Sequence, residues 1–183
     1  MHQSRMIIHL TPFILCALMF FHPVVSHAAN ITQIIKADRP ETSELMEHQS
    51  DLIVSVHLDQ HIRKWDTGQR LPSGERFVNA EQILHIHNQL KGQAPSPALL
   101  LTTGVEPLPD PESPLNTQYT GPLADGDYVL FLKHFRDPNH FILSGGFCAV
   151  YPVVFGKLIA LDAGFKEFGG KTIPELQQLL HSE

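Results

Sequence analysis

Residues 127–135 read DYVLFLKHF, and this stretch decides the fold class. Its aromatic and branched apolar side chains are those that strands prefer, and neither glycine nor proline interrupts it. The following RDPN is typical of a turn and leads into HFILSG at residues 140–145. The two stretches therefore predict a β-hairpin, and with it a mainly β domain.

Three stretches earlier in the chain predict further strands. In SDLIVSVHLD, residues 50–59, apolar and polar residues alternate as in a half-buried strand. Residues 77–90 predict a second, long strand, and ALLLTT at residues 98–103 predicts a third that is buried on both faces. Between the first two lies RKWDTGQRLPSGE, residues 63–75, whose glycines, proline and charges predict a loop or a wide hairpin tip.

The remaining segments predict a loop, a second hairpin and two helices. VEPLPDPESPLNTQYTGPLADG, residues 105–126, is rich in proline and predicts an extended surface loop that is either functional or a tolerated insertion. AVYPVVF and KLIALD flank Gly156 and predict a hairpin. A short helix is expected in ELMEH, and a C-terminal helix over residues 172–182, where Thr172 and Glu175 have capping-box spacing.

The connections between these strands predict the architecture. Strands joined by turns, without alternating helices, favour an antiparallel sheet that curls into a small barrel or a sandwich. We favour the barrel because closure removes the open edges through which exported sheets aggregate. The expected fold class is mainly β: a small antiparallel β-barrel with a short N-terminal helix and a C-terminal helix.

Residues 1–28 predict an export signal that does not belong to the fold. Arg5 precedes a long apolar centre, and Ser26 and Ala28 fit a small-x-small cleavage site. An uncleaved membrane anchor is the alternative, since the apolar centre is long enough to span a bilayer. Cleavage would leave residues 29–183, or 183 − 28 = 155 residues, as a single domain. We therefore expect a secreted or periplasmic protein that does not contact the membrane after cleavage.

Charge and cysteine content limit the classes of partner and the disulfides that can be expected. Without Arg5 the chain has 12 Lys and Arg against 19 Asp and Glu, a net charge of 12 − 19 = −7, so nucleic acid is not expected as a partner. Cys16 lies in the signal, which leaves Cys148 alone and excludes an internal disulfide. The apolar neighbours of Cys148 predict a buried, poorly reactive thiol, with an intermolecular bridge or a nucleophile as the alternatives.

The order of these stretches resembles a group of uncharacterised small exported bacterial β-barrel domains. SDLIVSVHLD, a strand ending in QLKG, ADGDYVLFLK and ILSGG follow one another over about residues 50–162, as the corresponding motifs do in that group. More distantly, the order is similar to the oligonucleotide/oligosaccharide-binding (OB) barrel of netrin and metalloproteinase-inhibitor modules. The resemblance implies an OB-like fold and an exported setting but no activity. Those inhibitors use an N-terminal cysteine, which the expected start at Ala29 lacks, so protease inhibition is not carried over.

The stretch QILHIHNQLKG, residues 82–92, comes nearest to a chemical motif. Side chains alternate along a strand, so His85 and His87 share one face, and His57 lies on the outward face of the first strand. If the two strands pair, the three imidazoles join in one cluster, which is the kind of ligand set that zinc requires. His61, just past the first strand, and Glu81 are the other candidates for completing the set. The alternative is a solvated strand face on which histidine is one of several permitted polar residues.

Other catalytic arrangements have little support in the sequence. Ser144 lacks the flanking sequence of a nucleophile elbow. Cys148 could pair with His140 or His134, but no third residue that would orient the histidine stands out.

Recognition residues are expected in the two predicted loops, since loops on a rigid scaffold usually carry binding. We select Trp65, Arg70 and Tyr119 there. The sequence thus favours an exported, non-catalytic domain that binds an unknown protein or small ligand without a cofactor. The alternative is a zinc-type metal-binding protein, or a metal-dependent hydrolase, that uses the histidine cluster.

Overall fold

A computed structural model describes residues 30–181, which are mainly β as the sequence predicts. The predicted signal, residues 1–28, lies outside the described residues. Within residues 30–181 the strands are β1 (Leu52–Leu58), β2 (Ile62–Arg70), β3 (Arg76–Ile83), β4 (His85–Lys91), β5 (Leu99–Glu106), β6 (Gly126–Phe135), β7 (Asp137–Leu143), β8 (Val150–Val154) and β9 (Lys157–Leu158). The α-helices are α1 (Ser43–Gln49), α2 (Leu115–Gln118) and α3 (Ile173–Leu180). Helices α1 and α3 confirm the two helices expected near the ends.

The nine strands form one mixed sheet among the described residues. Its hydrogen-bonded order is β2-β3-β5-β7-β6-β1-β4, with β8 also pairing β6 and β9 pairing β8. The prediction of a purely antiparallel sheet is wrong, because β5 and β7 are parallel where Leu99 meets His140 and Leu100 meets Phe141. A long connection follows β5, and β7, the second strand of the predicted β6–β7 hairpin, lies beside β5. No pairing joins the end strands β2 and β4 within this path.

The long strand predicted over residues 77–90 is divided at Leu84. Leu84 is buried, and its backbone N–H donates to the Ala98 carbonyl at 3.0 Å, outside the strand ladders. Before this residue β3 pairs with β2 and β5, and after it β4 pairs with β1. Almost continuous chain therefore forms two strands that pair with different partners and stand apart in the order of the sheet.

A loop or a wide hairpin tip was predicted over residues 63–75. Residues 71–75 are the tip of the β2–β3 hairpin, but the prediction is wrong for residues 63–70, which belong to strand β2. Residues Ile62 to Asp66 pair antiparallel with Gln82 to Val78 of β3. The register shifts before Arg70, and Gly68 lies within this irregularity with φ of 79°. Charged residues are tolerated in β2 because it is an edge strand, where charge also discourages pairing with other molecules.

The core is built around β1 and β6. Leu52, Ile53, Val54, Val56 and Leu58 are fully buried, so the half-buried pattern predicted for β1 is also wrong. Both faces of β1 are covered, and the core cluster includes residues from α1 and α3 as well as from the neighbouring strands. A capping box begins α3, as predicted, and directs one of its leucines into this core.

The proline-rich segment is shorter and more ordered than predicted. Strand β5 extends to Glu106, and α2 forms one helical turn within the segment. The buried Gln82 side chain of β3 binds both backbone groups of Leu123, each at 2.9 Å. The predicted β6–β7 and β8–β9 hairpins are confirmed. The first turns at Arg136 alone, since the remaining residues of the predicted RDPN turn belong to β7, and the second turns at residues 155–156. Among the described residues, no helix has the length and apolar character needed to cross a membrane.

Gly92, which ends the QLKG stretch, permits the closest backbone approach in this part of the fold. Its φ is +76°, and a Cβ atom there would lie 2.1 Å from the carbonyl oxygen of Asp51, immediately before β1. Gly156 has almost the same φ, +75°, but a Cβ atom there would meet nothing within 4 Å. The two glycines therefore separate the cost of the backbone conformation from the cost of the contact.

We expect Gly156→Ala to lower the free energy of unfolding by about 1 kcal/mol, because a left-handed backbone is strained for alanine. Gly92→Ala should cost about 3 kcal/mol or more, because the contact with Asp51 adds to the same strain. Urea unfolding curves of the two variants measure both losses. Equal losses would contradict the close approach at Gly92.

Candidate functional site

A cavity of about 420 Å³ lies between one part of the sheet and the proline-rich segment. The sheet contributes Lys64 of β2, Val78 and Ala80 of β3, and Gly104 of β5, while the segment contributes apolar residues and Tyr119. A volume of this order is typical of sites for small molecules, which are mostly apolar with a few polar groups. Its composition therefore fits a ligand-binding site.

Strand register explains why these sheet residues line one wall. Val78 lies opposite Gly104 on β5, and Ala80 lies opposite Lys64 on β2. Because alternate residues of a strand point to the same face, Val78, Ala80 and their partners form a continuous surface. Gly104 contributes no side chain, which leaves room for the segment to approach.

The proline-rich segment is fixed over this wall by backbone contacts. The Gly121 N–H donates to the Thr103 carbonyl at 2.9 Å, on the edge of β5 that faces away from β3. A Cβ atom on Gly104 would lie 3.1 Å from the Gly121 Cα atom, so the two backbones are nearly in contact. The Tyr119 ring packs edge-on against Phe77 with centroids 4.9 Å apart. These contacts hold the segment in a defined position over the sheet.

Charged residues surround the mouth of the cavity. Glu106 accepts a hydrogen bond from Arg76 at 2.9 Å and faces the Lys64 ammonium at 3.6 Å. Arg76 also lies 3.6 Å from Asp66. Arg70 lines an adjoining hollow together with Arg76 and Glu106. The mouth thus holds a network of alternating charges on strands β2, β3 and β5.

Two of the three predicted binding residues lie at this site, and the third does not. Tyr119 lines the cavity and Arg70 lines the adjoining hollow. Trp65 is half-buried in a strand, where its indole N–H donates to the Ile31 carbonyl at 2.7 Å. Its neighbour Arg63 covers the ring, with the guanidinium carbon 5.1 Å from the centroid. Trp65 therefore holds the N-terminal segment.

Sequence reasoning missed the wall residues Lys64, Val78 and Ala80. The alternation of side chains along β2 and β3 could have identified them. The prediction of a loop over residues 63–75 excluded such alternation for β2. Once β2 is recognised as a strand, Lys64 and Trp65 must point to opposite faces. The lysine, and not the tryptophan, is then the residue of this pair that reaches the cavity.

The three histidines of the predicted cluster lie at the β1–β4 pairing, but they divide between two carboxylates. His57 and His85 are direct partners in the β1–β4 pairing. The His57 ring lies 3.0 Å from the Asp127 carboxylate, and the His87 ring lies 3.8 Å from the same oxygen. His85 instead lies 3.2 Å from Asp59. The three predicted ligands therefore do not converge on one point.

The Asp59 carboxylate is held by His61, one of the other candidates for completing the cluster. One oxygen accepts from the His61 backbone N–H at 2.8 Å, and the other lies 3.0 Å from Nδ1 of the His61 ring. The His61 backbone N–H, followed by the His61 ring, lowers the pKa of Asp59 from 3.8 to about 2. Among residues 30–181, no group of three or more His, Cys, Asp or Glu side chains has an arrangement ready to hold a metal ion.

The catalytic arrangements considered for Ser144 and Cys148 do not form. The Ser144 hydroxyl is buried and has no hydrogen-bond partner among the described residues. The Cys148 thiol donates to the Gly145 carbonyl at 3.1 Å. Both ring nitrogens of His140 face carboxylates, at 2.7 Å from Asp137 and 2.9 Å from Glu81. The histidine is thus engaged between strands and is not paired with a nucleophile.

Comparisons with protein-family models, curated proteins and solved structures found no match to this chain. Among the described residues, the cavity and the histidine face are the two features that could carry a function. Of the two, the cavity has the mostly apolar lining that small ligands require. The histidine face is exposed to solvent over about half of the His85 and His87 side chains.

Cys148 should be a slowly reacting thiol in the folded protein. Burial raises its pKa, although the charge of Arg39 opposes this, so little thiolate forms near neutral pH. We expect a thiol reagent to label Cys148 slowly until denaturant is added, as followed by mass increase over time. Rapid labelling of the native protein, or a disulfide-linked dimer on a non-reducing gel, would contradict this prediction.

Proposed function

We propose that this chain is an exported, non-catalytic binding domain whose ligand is a small molecule held between the sheet and the proline-rich segment. The observation that carries the proposal is the cavity of about 420 Å³, which has an apolar wall and a charged mouth. Ligands of this kind gain affinity from burial of apolar surface and orientation from a few polar groups. The anchored position of the segment supports a cavity that exists before the ligand arrives.

The exported setting is part of the same proposal and rests on residues 1–28. If these residues are a cleaved signal, protein recovered from the producing cell should begin at or near Ala29 by mass spectrometry. Recovery of protein that still begins at Met1 would contradict export with cleavage.

We also propose that the sheet closes into an OB-like barrel. One residue, Leu84, separates β3 from β4, so the pairings β3–β5–β7–β6–β1–β4 lead back to the same stretch of chain. Counted in this way, the path contains five strands, as an OB barrel does. Closure would be supported by cross-strand NMR contacts, in one conformer, of residues 76–83 with β5 and of residues 85–91 with β1. Loss of either set would contradict it.

Blocking the cavity should abolish ligand binding. We expect ligand-observed NMR to find small apolar fragments that bind the unmodified protein and lose at least tenfold in affinity with Ala80→Phe, because the new ring fills the space beside Val78. Ala124→Phe makes the same change at an exposed residue of the chain and is the matched control. Thermal melting verifies that both variants fold.

If Ala80→Phe does not fold, Leu115→Trp introduces the obstruction from the proline-rich segment, where the replaced residue is only half-buried. The proposal is contradicted if no fragment binds the unmodified protein. It is also contradicted if fragments bind the blocked and control variants equally.

A second candidate function is the binding of a divalent transition metal on the histidine face. The observation that favours it is that Asp59 and Asp127 each lie within 4 Å of two imidazole rings. Two imidazoles and one carboxylate form a common ligand set for zinc and related ions. The rings would have to turn from their present positions to share one ion.

The double variant His85→Thr and His87→Thr tests this second function, because it removes one imidazole from each carboxylate. We expect no stoichiometric zinc in either protein and a change in unfolding free energy below about 1 kcal/mol, since both side chains lie on a solvated face. Zinc content by mass spectrometry of metals, together with melting, measures both. Loss of one equivalent of zinc with a lower melting temperature would contradict us, and His57→Ala against His61→Ala would then identify the carboxylate involved.

A further inference from the structure

Lys64 and Glu106 are the charged residues that line the cavity, and Arg76, Asp66 and, in the adjoining hollow, Arg70 lie beside them. This charged group contains three cations against two carboxylates, a local excess of one positive charge. Its sign is opposite to that of the chain as a whole, which has a formal net charge of −6. We infer that the ligand of the cavity is a small amphipathic carboxylate, with its apolar body inside and its anionic group at Lys64. This inference rests on the proposed binding function.

The inner surface of the cavity supports the apolar half of such a ligand. Val78 and Ala80 form the sheet wall, while Leu115, Phe147 and Tyr119 approach from the other side. None of these side chains carries a charge, and aromatic rings accept both aliphatic chains and other rings. An ionic group placed among them would lose its hydration without gaining a partner. The charge of the ligand must therefore lie at the mouth.

Lys64 is the cation at the mouth with the most remaining capacity to bind. Within residues 30–181, the partner of its ammonium is Glu106 at 3.6 Å, which is longer than a hydrogen bond. Glu106 gives its closer contact, 2.9 Å, to Arg76. An ammonium has three donors, so Lys64 can bind a ligand carboxylate while it keeps its distant contact with Glu106.

A cationic ligand fits the same mouth poorly. Both Glu106 oxygens already face cations, Lys64 on one side and Arg76 on the other. A second positive charge near Glu106 would be repelled by both of them. A doubly charged anion would exceed the local excess of one positive charge, whereas a single carboxylate matches it.

Two matched pairs of probes test the charge of the ligand: 4-phenylbutyrate with 4-phenylbutanamide, and hexanoate with hexanamide. Within a pair the apolar body is the same and the anionic group is replaced by a neutral one. We expect each acid to bind the unmodified protein about fivefold more tightly than its amide at low salt, as a half-exposed ion pair provides. The preference should shrink in 0.5 M sodium chloride, because salt screens exposed charges. Titration calorimetry or ligand-observed NMR measures the four affinities.

Lys64→Gln should remove the preference for the acid while amide binding stays within twofold. Arg63→Gln is the matched control, because Arg63 is the adjacent residue of β2 and lies on the opposite face beside Trp65. It removes the same charge from the chain and should leave the preference unchanged. Loss of the preference in both variants would indicate a general effect of net charge and would overturn the role of Lys64.

The result can separate this inference from the proposed function. If neither acid binds, or if each amide binds as tightly as its acid, the carboxylate inference is overturned. The proposed function survives that result when neutral fragments still bind and Ala80→Phe still excludes them. If neither acids, amides nor neutral fragments bind the cavity, the proposed function fails as well.

Discussion

The fold depends on a change of strand partner at Leu84. The chain before this residue pairs with β2 and β5, and the chain after it pairs with β1. Leu84 itself is buried, so the change occurs inside the core, where every backbone group needs a partner. Its N–H finds that partner in the Ala98 carbonyl, just before β5. This contact ties the division of the strand to the start of its neighbour and gives both halves of the sheet their registers.

The sequence predicted the elements whose signal is local. The β6 strand, the two hairpin turns and the capping box at Thr172 all depend on residues that are close in the chain, and each is present. The division at Leu84 could not be predicted, because neither glycine nor proline interrupts residues 77–90. The parallel pairing of β5 with β7 also depends on distant chain, and propensities carry no information about which strands meet. Burial of both faces of β1 also depends on contacts with distant parts of the chain.

At the candidate site, one wrong assignment of secondary structure led to the wrong choice of residue. A loop prediction over residues 63–75 made Trp65 the natural recognition residue, since exposed tryptophans on loops often bind ligands. As part of an edge strand, the same stretch alternates, and Lys64 takes the side of the cavity. Tyr119 was selected in the proline-rich segment, where strand periodicity does not apply, and it lies at the cavity. The histidine face was foreseen as far as the β1–β4 pairing, but the division between Asp59 and Asp127 depends on side chains from β6 and the β1–β2 turn.

The cavity follows from an incomplete strand pairing. β7 pairs with β5 over only two residue pairs, which leaves the remaining edge of β5 without a strand beside it. An open edge of this kind invites pairing with other molecules unless something covers it. The proline-rich segment covers it through the Gly121–Thr103 hydrogen bond, and its prolines prevent it from becoming a further strand that would attract another partner. Because the segment lies over the edge without joining the ladder, it stands away from the wall of Val78 and Ala80 and leaves space between them. The short β5–β7 pairing thus accounts both for the open edge of β5 and for the cavity beside it.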